Sequence, residues 1–267
     1  MDGYFSGARE VERTANVATW KQKLGRLLRR PPFYPHIYFF NHPFKALEYS
    51  KLVAGMPFRS DDVILDVGCG AGLQTLLFGR RAARIVGIDP DPNPVGRAQA
   101  DHRECASRIP AEFRVATLEG AQFPDAAFSK VFSVCVLEHV PDHLGTLREC
   151  YRVLKPGGIL SFSCDSLATI ADEALKKEHA VRYYVQRYFE PEELKNDLEA
   201  VGFRGVQIFS IFRSRFARDL FMDGLRNGFN PRYARSIWLS WRLRWADWFA
   251  RGERGLFLIA RAVKPAD

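Results

Sequence analysis

The sequence lacks the features that mark secreted, membrane-spanning and metal-clustered proteins. Its five cysteines are scattered over 267 residues without a CxxC or CxH spacing, so we expect reduced thiols and no metal site. The first twenty residues carry charges throughout and no apolar core of a signal peptide. No apolar run approaches the roughly 20 residues that a membrane span needs. These absences predict a cytoplasmic protein.

Charge is present in excess and is unevenly placed. The formal net charge is +8, and the basic residues concentrate at the two ends of the chain around a mildly acidic centre. Basic ends of this kind suit an acidic substrate or an anionic surface, and they are equally consistent with ordinary solvated charge. A hydrophobic content of 47% is enough for a globular core.

The order of the predicted elements indicates one α/β domain with additions at both ends. From residue 61 to 164, short apolar runs alternate with helical patterns, which favours right-handed crossovers in a doubly wound, mostly parallel sheet of seven strands. Strands are predicted over residues 63–67, 84–88, 112–116, 130–136, 159–164, 205–211 and 256–262. Helices are predicted over 1–30, 45–55, 73–81, 95–107, 146–154 and 192–201, the last of these ending at Gly202.

These elements divide the chain into four segments. Residues 1–60 are expected to form a helical and aromatic cap, and residues 61–212 a cofactor-binding core. Residues 213–255 are an insertion rich in Arg and Trp, which we expect to be helical. Residues 256–267 supply the last strand and the tail.

A glycine-rich turn follows the first predicted strand. Residues 64–72 read ILDVGCGAG, in which Gly68, Gly70 and Gly72 alternate after a short apolar run. Glycines at such a turn let the backbone approach a ligand more closely than any Cβ would allow. Asp89 ends the next strand about 20 residues on, where a carboxylate accepts hydrogen bonds from ribose hydroxyls in many adenosine sites. The G-x-G-x-G spacing differs from the G-x-G-x-x-G of nicotinamide enzymes, although such an oxidoreductase stays an alternative.

Four segments in order resemble the class I S-adenosylmethionine-dependent methyltransferases. They are ILDVGCGAG, IVGIDP, FPDAAFSKVFSVCVLEHV and LKPGGIL, and the resemblance covers roughly residues 61–211. It implies a Rossmann-like sheet, S-adenosylmethionine as the cofactor and methyl transfer as the reaction. Because this cofactor already carries an activated methyl group, the protein mainly has to align the acceptor and exclude water.

The resemblance also implies roles for individual residues. Asp66 would orient the loop and take the cofactor's ammonium directly or through water, Asp89 would hold the ribose, and Pro90 would pack on the adenine. Thr117 stands where many relatives carry an acidic or amide residue at the adenine edge. The predicted cofactor site also includes the backbone of the loop and the residue after Thr117. These residues are Gly68, Cys69, Gly70, Ala71 and Leu118.

The acceptor side is less defined by the sequence. His139 follows strand 4 at the edge where ligands bind in open α/β sheets, so it is a candidate general base or a structural residue of the methionine pocket. Aromatic residues outside the motifs are candidate walls of the acceptor pocket or ordinary core residues. They are Phe39, Phe40, Tyr183 and Tyr184.

A tryptophan stripe is the most unusual feature of the insertion. Trp238, Trp241, Trp245 and Trp248 are spaced to share one face of a helix, and Arg235, Arg242, Arg244 and Arg251 flank that face. Such a stripe suits a helix at a membrane interface, a lid that packs on its own domain, or a seam between two copies. The flanking arginines would also suit a phosphorylated or carboxylated acceptor.

The sequence therefore predicts methyl transfer to an oxygen or carbon atom of a small acceptor. We favour a lipid-like, quinone-like or polyketide-like molecule, with a sugar or an acidic polar metabolite as the alternative. A non-catalytic module that only binds the cofactor is a further alternative. Residues 136–139 read VLEH in place of an NPPY-type tetrapeptide, which argues against nucleic acid as the acceptor.

Overall fold

The computed structural model describes residues 42–227 and 233–266, except for the side chains of residues 233–236. Helix α1 (Pro43–Val53) precedes a seven-stranded sheet with the order β3-β2-β1-β4-β5-β7-β6. Of the neighbouring strand pairs, only the two that involve β7 are antiparallel. The strands are β1 (Val63–Val67), β2 (Arg84–Asp89), β3 (Ala111–Val115), β4 (Phe128–Val134), β5 (Leu154–Asp165), β6 (Arg204–Ile211) and β7 (Phe257–Val263).

Helices cover both faces of this sheet, which confirms the predicted doubly wound α/β fold. After α1 they are α2 (Leu73–Gly79), α3 (Pro92–Cys105), α4 (His143–Val153), α5 (Glu173–Tyr183), α6 (Pro191–Val201), α7 (Arg215–Asn227) and α8 (Tyr233–Trp248). A single 3-10 turn, Leu137–His139, follows β4. The predicted helix over 1–30, together with Phe39 and Phe40, lies outside the described residues.

Strand β1 shows why the site forms where it does. Its residues are almost wholly buried between β2 and β4, because each strand of a parallel sheet is covered on both faces. Strand order reverses at β1, since the chain next adds β2 and β3 on one side and β4 on the other. Open α/β sheets bind ligands at the carboxyl edge beside such a reversal, where the crossovers leave in opposite directions.

Strand β7 lies between β5 and β6, so the last strand belongs to the same sheet as the predicted core. Ser129 donates a hydrogen bond to Asp62 at 2.8 Å and accepts one from the Val63 amide at 3.1 Å. It therefore ties the beginning of β4 to the beginning of β1, at the edge of the sheet opposite the glycine loop. The division into four segments stays a prediction.

Candidate active site

The glycine loop leaves the carboxyl end of β1 with three positive φ angles. They are 74° at Gly68, 51° at Gly70 and 77° at Gly72, a backbone region that costs other residues about 1–2 kcal/mol. A Cβ on Gly68 would lie 2.2 Å from a methyl group of Val136, so this glycine permits the turn to pack on the chain beyond β4. A Cβ on Gly70 would meet no atom within 4 Å. Gly70 therefore faces open space at the centre of the loop.

Asp66 supports this loop from beneath. Its carboxylate is 1% exposed and accepts a hydrogen bond from the Thr75 hydroxyl at 2.6 Å, which joins β1 to the first turns of α2. Burial raises the pKa of Asp66 to about 7. The hydrogen bond from Thr75 opposes this rise, and the charge of the nearby Asp89 adds to it. A cationic group over the loop would restore the ionised form of Asp66.

Asp89 fixes the loop from the end of β2. One carboxylate oxygen accepts the Gly70 amide hydrogen at 3.0 Å, and the other accepts the amide hydrogen of Asp91 at 2.9 Å. Each oxygen keeps a second lone pair for a ligand hydroxyl. Asp89 is half-buried, so it can hold the loop and face a ligand at once.

A cavity of about 250 Å³ opens over the loop. Residues 68–71, the four predicted loop residues, form one wall. Leu73 and Gln74 at the start of α2 and Val134 at the end of β4 continue the wall, and His42 and Lys45 come from the beginning of α1. The Cys69 side chain itself is buried and packs against Gly87, so only its backbone is available to a ligand.

The adenine-edge residues lie further along the same edge of the sheet. Asp89 pairs with Val115, which places Thr117 just beyond the end of β3. Pro90 and Thr117 are exposed, and the Thr117 hydroxyl accepts the Gly120 amide hydrogen at 3.0 Å. The Leu118 side chain is buried in the core. Only the backbone of Leu118 is therefore available to a base.

Lys45 is a site residue that the sequence did not predict. Its ammonium lies 2.8 Å from a carboxylate oxygen of Glu48 and donates to the Cys135 sulfur at 3.1 Å. It brings a positive charge from α1 to the cavity over the loop. No local pattern marks it, because α1 and the chain beyond β4 are about ninety residues apart in sequence.

His139 occupies the end of the 3-10 turn after β4. Its Nδ1 lies 3.4 Å from the carbonyl oxygen of Tyr184, and its ring is half-buried. Tyr183 and Tyr184 are 36% and 79% exposed, and the structure does not place them among the walls of the cavity over the loop. The catalytic role of His139 stays a prediction.

Helix α8 turns its tryptophans outward. The side chains of Trp238, Trp241, Trp245 and Trp248 are 54% to 77% exposed, whereas Leu239, Leu243 and Asp247 on the opposite face are buried. Asp247 accepts the Arg213 amide hydrogen at 2.5 Å, which fixes α8 to the end of β6. The tryptophan face and α1 border an open groove of about 730 Å³. No described helix has the length and apolar content to cross a membrane.

The sheet order, the loop after β1 and the acid at the end of β2 together define a Rossmann-like domain of the class I methyltransferase type. Residues 65–162 match the family model described as "Methyltransferase domain". Residues 65–162 therefore resemble the methyltransferase domain of this family, as the four motifs predict.

Curated relatives match part of the chain. Ubiquinone biosynthesis O-methyltransferases of Pseudomonas entomophila strain L48 and Pseudomonas fluorescens strain SBW25 are 40% and 39% identical over 101 residues, which are 38% of this chain. The match spans 43% of each relative's length, which is less than half.

Solved structures are similar in fold to most of the chain. Geranyl diphosphate C-methyltransferase from Streptomyces coelicolor has a TM-score of 0.61 at 16% identity, over 84% of this chain and 80% of that one. Phosphoethanolamine N-methyltransferase 2 from Haemonchus contortus, in complex with S-adenosyl-L-methionine, has a TM-score of 0.61 at 19% identity, over 89% of this chain and 59% of that one.

Proposed function

We propose that this protein is an S-adenosylmethionine-dependent methyltransferase that acts on an oxygen atom of a quinone-like or lipid-like small molecule. The observation that carries the proposal is the loop itself. Gly70 faces open space, and Asp89 holds the Gly70 amide while it keeps lone pairs for a ligand. A loop of this kind lets a ligand contact the backbone directly.

The residues present fit this cofactor. Asp89 would accept the ribose hydroxyls, and the backbone of residues 68–71 would line the methionine end. Lys45 would offer a positive charge to the carboxylate of the cofactor. Asp66, ionised when the cofactor is bound, would balance the cofactor's ammonium group through the loop. Pro90, Thr117 and the Leu118 backbone would border the adenine. When bound, the cofactor supplies an electrophilic methyl group, and the chain's own residues align the acceptor and exclude water.

The acceptor class rests on two independent supports. The relatives that match at about 40% identity are named as O-methyltransferases of ubiquinone biosynthesis. The tryptophan face and its groove supply apolar surface near α1, the helix that also lines the cavity over the loop.

Calorimetric titration tests the cofactor assignment. We expect saturable binding of S-adenosylmethionine and of its demethylated product, S-adenosylhomocysteine, at one site per chain. NADH serves as the control ligand, because the loop spacing does not suit a pyrophosphate. Binding of NADH without binding of either sulfur compound would favour an oxidoreductase. If none of the three ligands binds, the assignment of this protein as an enzyme would be contradicted.

We also propose that the tryptophan face of α8 contacts the surface of an anionic membrane. Indole rings are favoured at the boundary between headgroups and acyl chains, and arginines beside them attract anionic headgroups. Arg242 is exposed next to the stripe and lies over the rings of Phe216 and Trp238, at 4.2 and 5.0 Å from their centroids. Large apolar side chains exposed side by side mark an interaction surface.

Co-sedimentation with liposomes tests this surface. Replacing Trp238, Trp241, Trp245 and Trp248 with serine is expected to lower the bound fraction on phosphatidylglycerol vesicles at least tenfold. Tyr184→Ser is the matched control, because it removes an aromatic ring of similar exposure at a different place. A parent protein that does not bind these vesicles would contradict the proposal. If the fourfold variant instead changes from dimer to monomer in sedimentation velocity, the stripe is a contact between two copies.

A further inference from the structure

A group of buried acids lies at the carboxyl ends of β4 and β5. Glu138 in the 3-10 turn is fully buried, and Asp165 at the end of β5 is 5% exposed. One side-chain atom each of Cys135, Glu138 and Asp165 lies within 4.8 Å of the other two. Neither oxygen of Glu138 accepts a hydrogen bond from any described residue. A buried carboxylate without a donor is costly, so this group needs a proton or a ligand.

The sheet order places these acids where an acceptor would approach. The loop follows β1 and Asp89 follows β2, so the cofactor would extend along the carboxyl edge from β3 towards β4. The methyl acceptor must then lie beyond the methionine end, over β4 and β5. Glu138 and Asp165 follow those two strands. Cys135 connects them to the cavity, because its sulfur accepts the hydrogen bond from Lys45.

The two carboxyl groups differ in their surroundings. Burial, followed by the charge of Asp165, raises the pKa of Glu138 well above its ordinary range. Burial also raises the pKa of Asp165 to about 7, although Lys45 and the nearby Glu138 oppose the rise and Glu48 supports it. Glu138 therefore keeps its proton, and Asp165 ionises near neutral pH.

A histidine on the other side of Asp165 completes the arrangement. The Tyr188 hydroxyl donates to the Lys176 carbonyl at 3.0 Å, so its oxygen must accept the hydrogen from Nδ1 of His179 at 2.9 Å. Burial lowers the pKa of His179 to about 4, which leaves the ring neutral. Its Nε2, 3.8 Å from Asp165, is then a bare acceptor.

We propose that Asp165, which lies beside Glu138, takes the proton from the acceptor's hydroxyl group during methyl transfer, an inference that rests on the proposed function. The acceptor's O–H bond breaks and an O–H bond forms on Asp165. The acceptor oxygen uses the freed electron pair to bond the methyl carbon, and the pair of the broken carbon–sulfur bond stays on sulfur. Proton and charge therefore balance without a further reactant.

The charged and titratable groups around the pair come from six parts of the chain. Lys45 and Glu48 face it from α1, His179 from α5, and His139 from the 3-10 turn beside His179. The remaining neighbours are Cys135 after β4, Cys164 in β5 and Tyr188 before α6. Both thiols and the phenol have pKa values raised by burial, so they stay neutral where Asp165 titrates.

Two acceptor probes test the role of Asp165, namely catechol and 4-nitrocatechol. Asp165→Asn is expected to slow methylation of catechol about 100-fold or more, the usual size of a lost general base. The loss should be much smaller with 4-nitrocatechol, because its nitro group makes the phenol acidic enough to arrive ionised. A purely structural defect would slow both probes equally, and that result would overturn the proposal.

Variants at the neighbouring positions separate this role from others. Glu138→Gln keeps a polar neighbour of Asp165 and should keep the acid limb of the pH profile. Glu138→Leu removes that polar neighbour and should move the acid limb to higher pH by about one unit. His139→Asn tests the alternative base, because a loss equal to that of Asp165→Asn would move the role to His139. Activity lost with EDTA and restored by Mg²⁺ would show that the acids hold a cation instead.

Two measurements do not depend on turnover. Infrared titration of the ligand-free protein should show a carboxyl band that disappears near pH 7 in the parent and is absent in Asp165→Asn. A band that disappears below pH 5 would contradict the proposal. S-adenosylhomocysteine should bind all variants within about threefold of the parent affinity. If the parent itself fails to bind, the proposed function fails; if binding is intact and the rates are unchanged, only the role of Asp165 fails.

Discussion

Gly70→Val is expected to lower the affinity for S-adenosylmethionine at least 100-fold. Gly70 lies at the centre of the loop, and the space beside its Cα is empty of protein atoms within 4 Å. A valine side chain would fill the space that the cofactor needs. The φ angle of 51° adds backbone strain of about 1–2 kcal/mol, which lowers stability as well as affinity.

Gly205→Val is a matched control for Gly70→Val. Gly205 has a φ angle of 59°, and a Cβ there would also meet no atom within 4 Å, but it lies in β6 at the far edge of the sheet. Both substitutions should cost similar stability in thermal unfolding, whereas only Gly70→Val should remove cofactor binding in calorimetry. Equal affinities of the two variants would show that the loop does not form the binding site.

Asp89→Ala is expected to lower the affinity for the cofactor at least tenfold. The substitution removes the acceptor for the ribose hydroxyls and releases the Gly70 amide at the same time. Hydrogen bonds to a charged group contribute about 1.5–3 kcal/mol each, so the loss of one alone accounts for a tenfold change.

Asp91→Ala is the control for a neighbouring carboxylate. Asp91 caps the N-terminus of α3 through a hydrogen bond from the Asn93 amide at 2.8 Å, and it is exposed. Its loss should reduce stability by about 1 kcal/mol and leave cofactor affinity unchanged. An unchanged affinity in Asp89→Ala would mean that the ribose is held elsewhere.

The sheet was predictable because buried parallel strands leave a strong local signal. Strand β1 was predicted with its observed bounds, and the helix before Gly202 ends at that residue, which has a left-handed φ of 114°. Helix capping explains why the observed beginning of one helix differs from the predicted one. Helix α3 begins at Pro92, three residues before the predicted start, because Asp91 caps it and prolines fit a first helical turn.

Strand β5 shows a turn signal that persists inside a strand. Residues 155–158, with their proline and two glycines, predict a turn before the strand, and β5 (Leu154–Asp165) includes them. Leu154 pairs with Phe128 and Ile159 pairs with Lys130, so the four residues between them have no partner in β4, and Gly157 has a φ of 73°. The turn signal therefore appears as a bulge at the beginning of the strand.

The residues of the candidate site also differ in whether the sequence could predict them. The loop and Asp89 lie within about 20 residues of each other and follow a recognisable spacing, so they were predictable. Lys45 and Glu48 meet Cys135 across roughly ninety residues, and Glu138 meets Asp165 across two strands. Only the sheet order brings these residues together. No spacing in the sequence could predict them.

The most direct test of the whole account follows a labelled methyl group into a product. The protein is incubated with deuteriomethyl-labelled S-adenosylmethionine and a lipid extract, and the organic phase is analysed by mass spectrometry. The parent protein should yield a lipid-soluble product that carries the labelled methyl group on oxygen, and Gly70→Val should yield none. A label found only in water-soluble products, or no labelled product despite intact cofactor binding, would contradict the account.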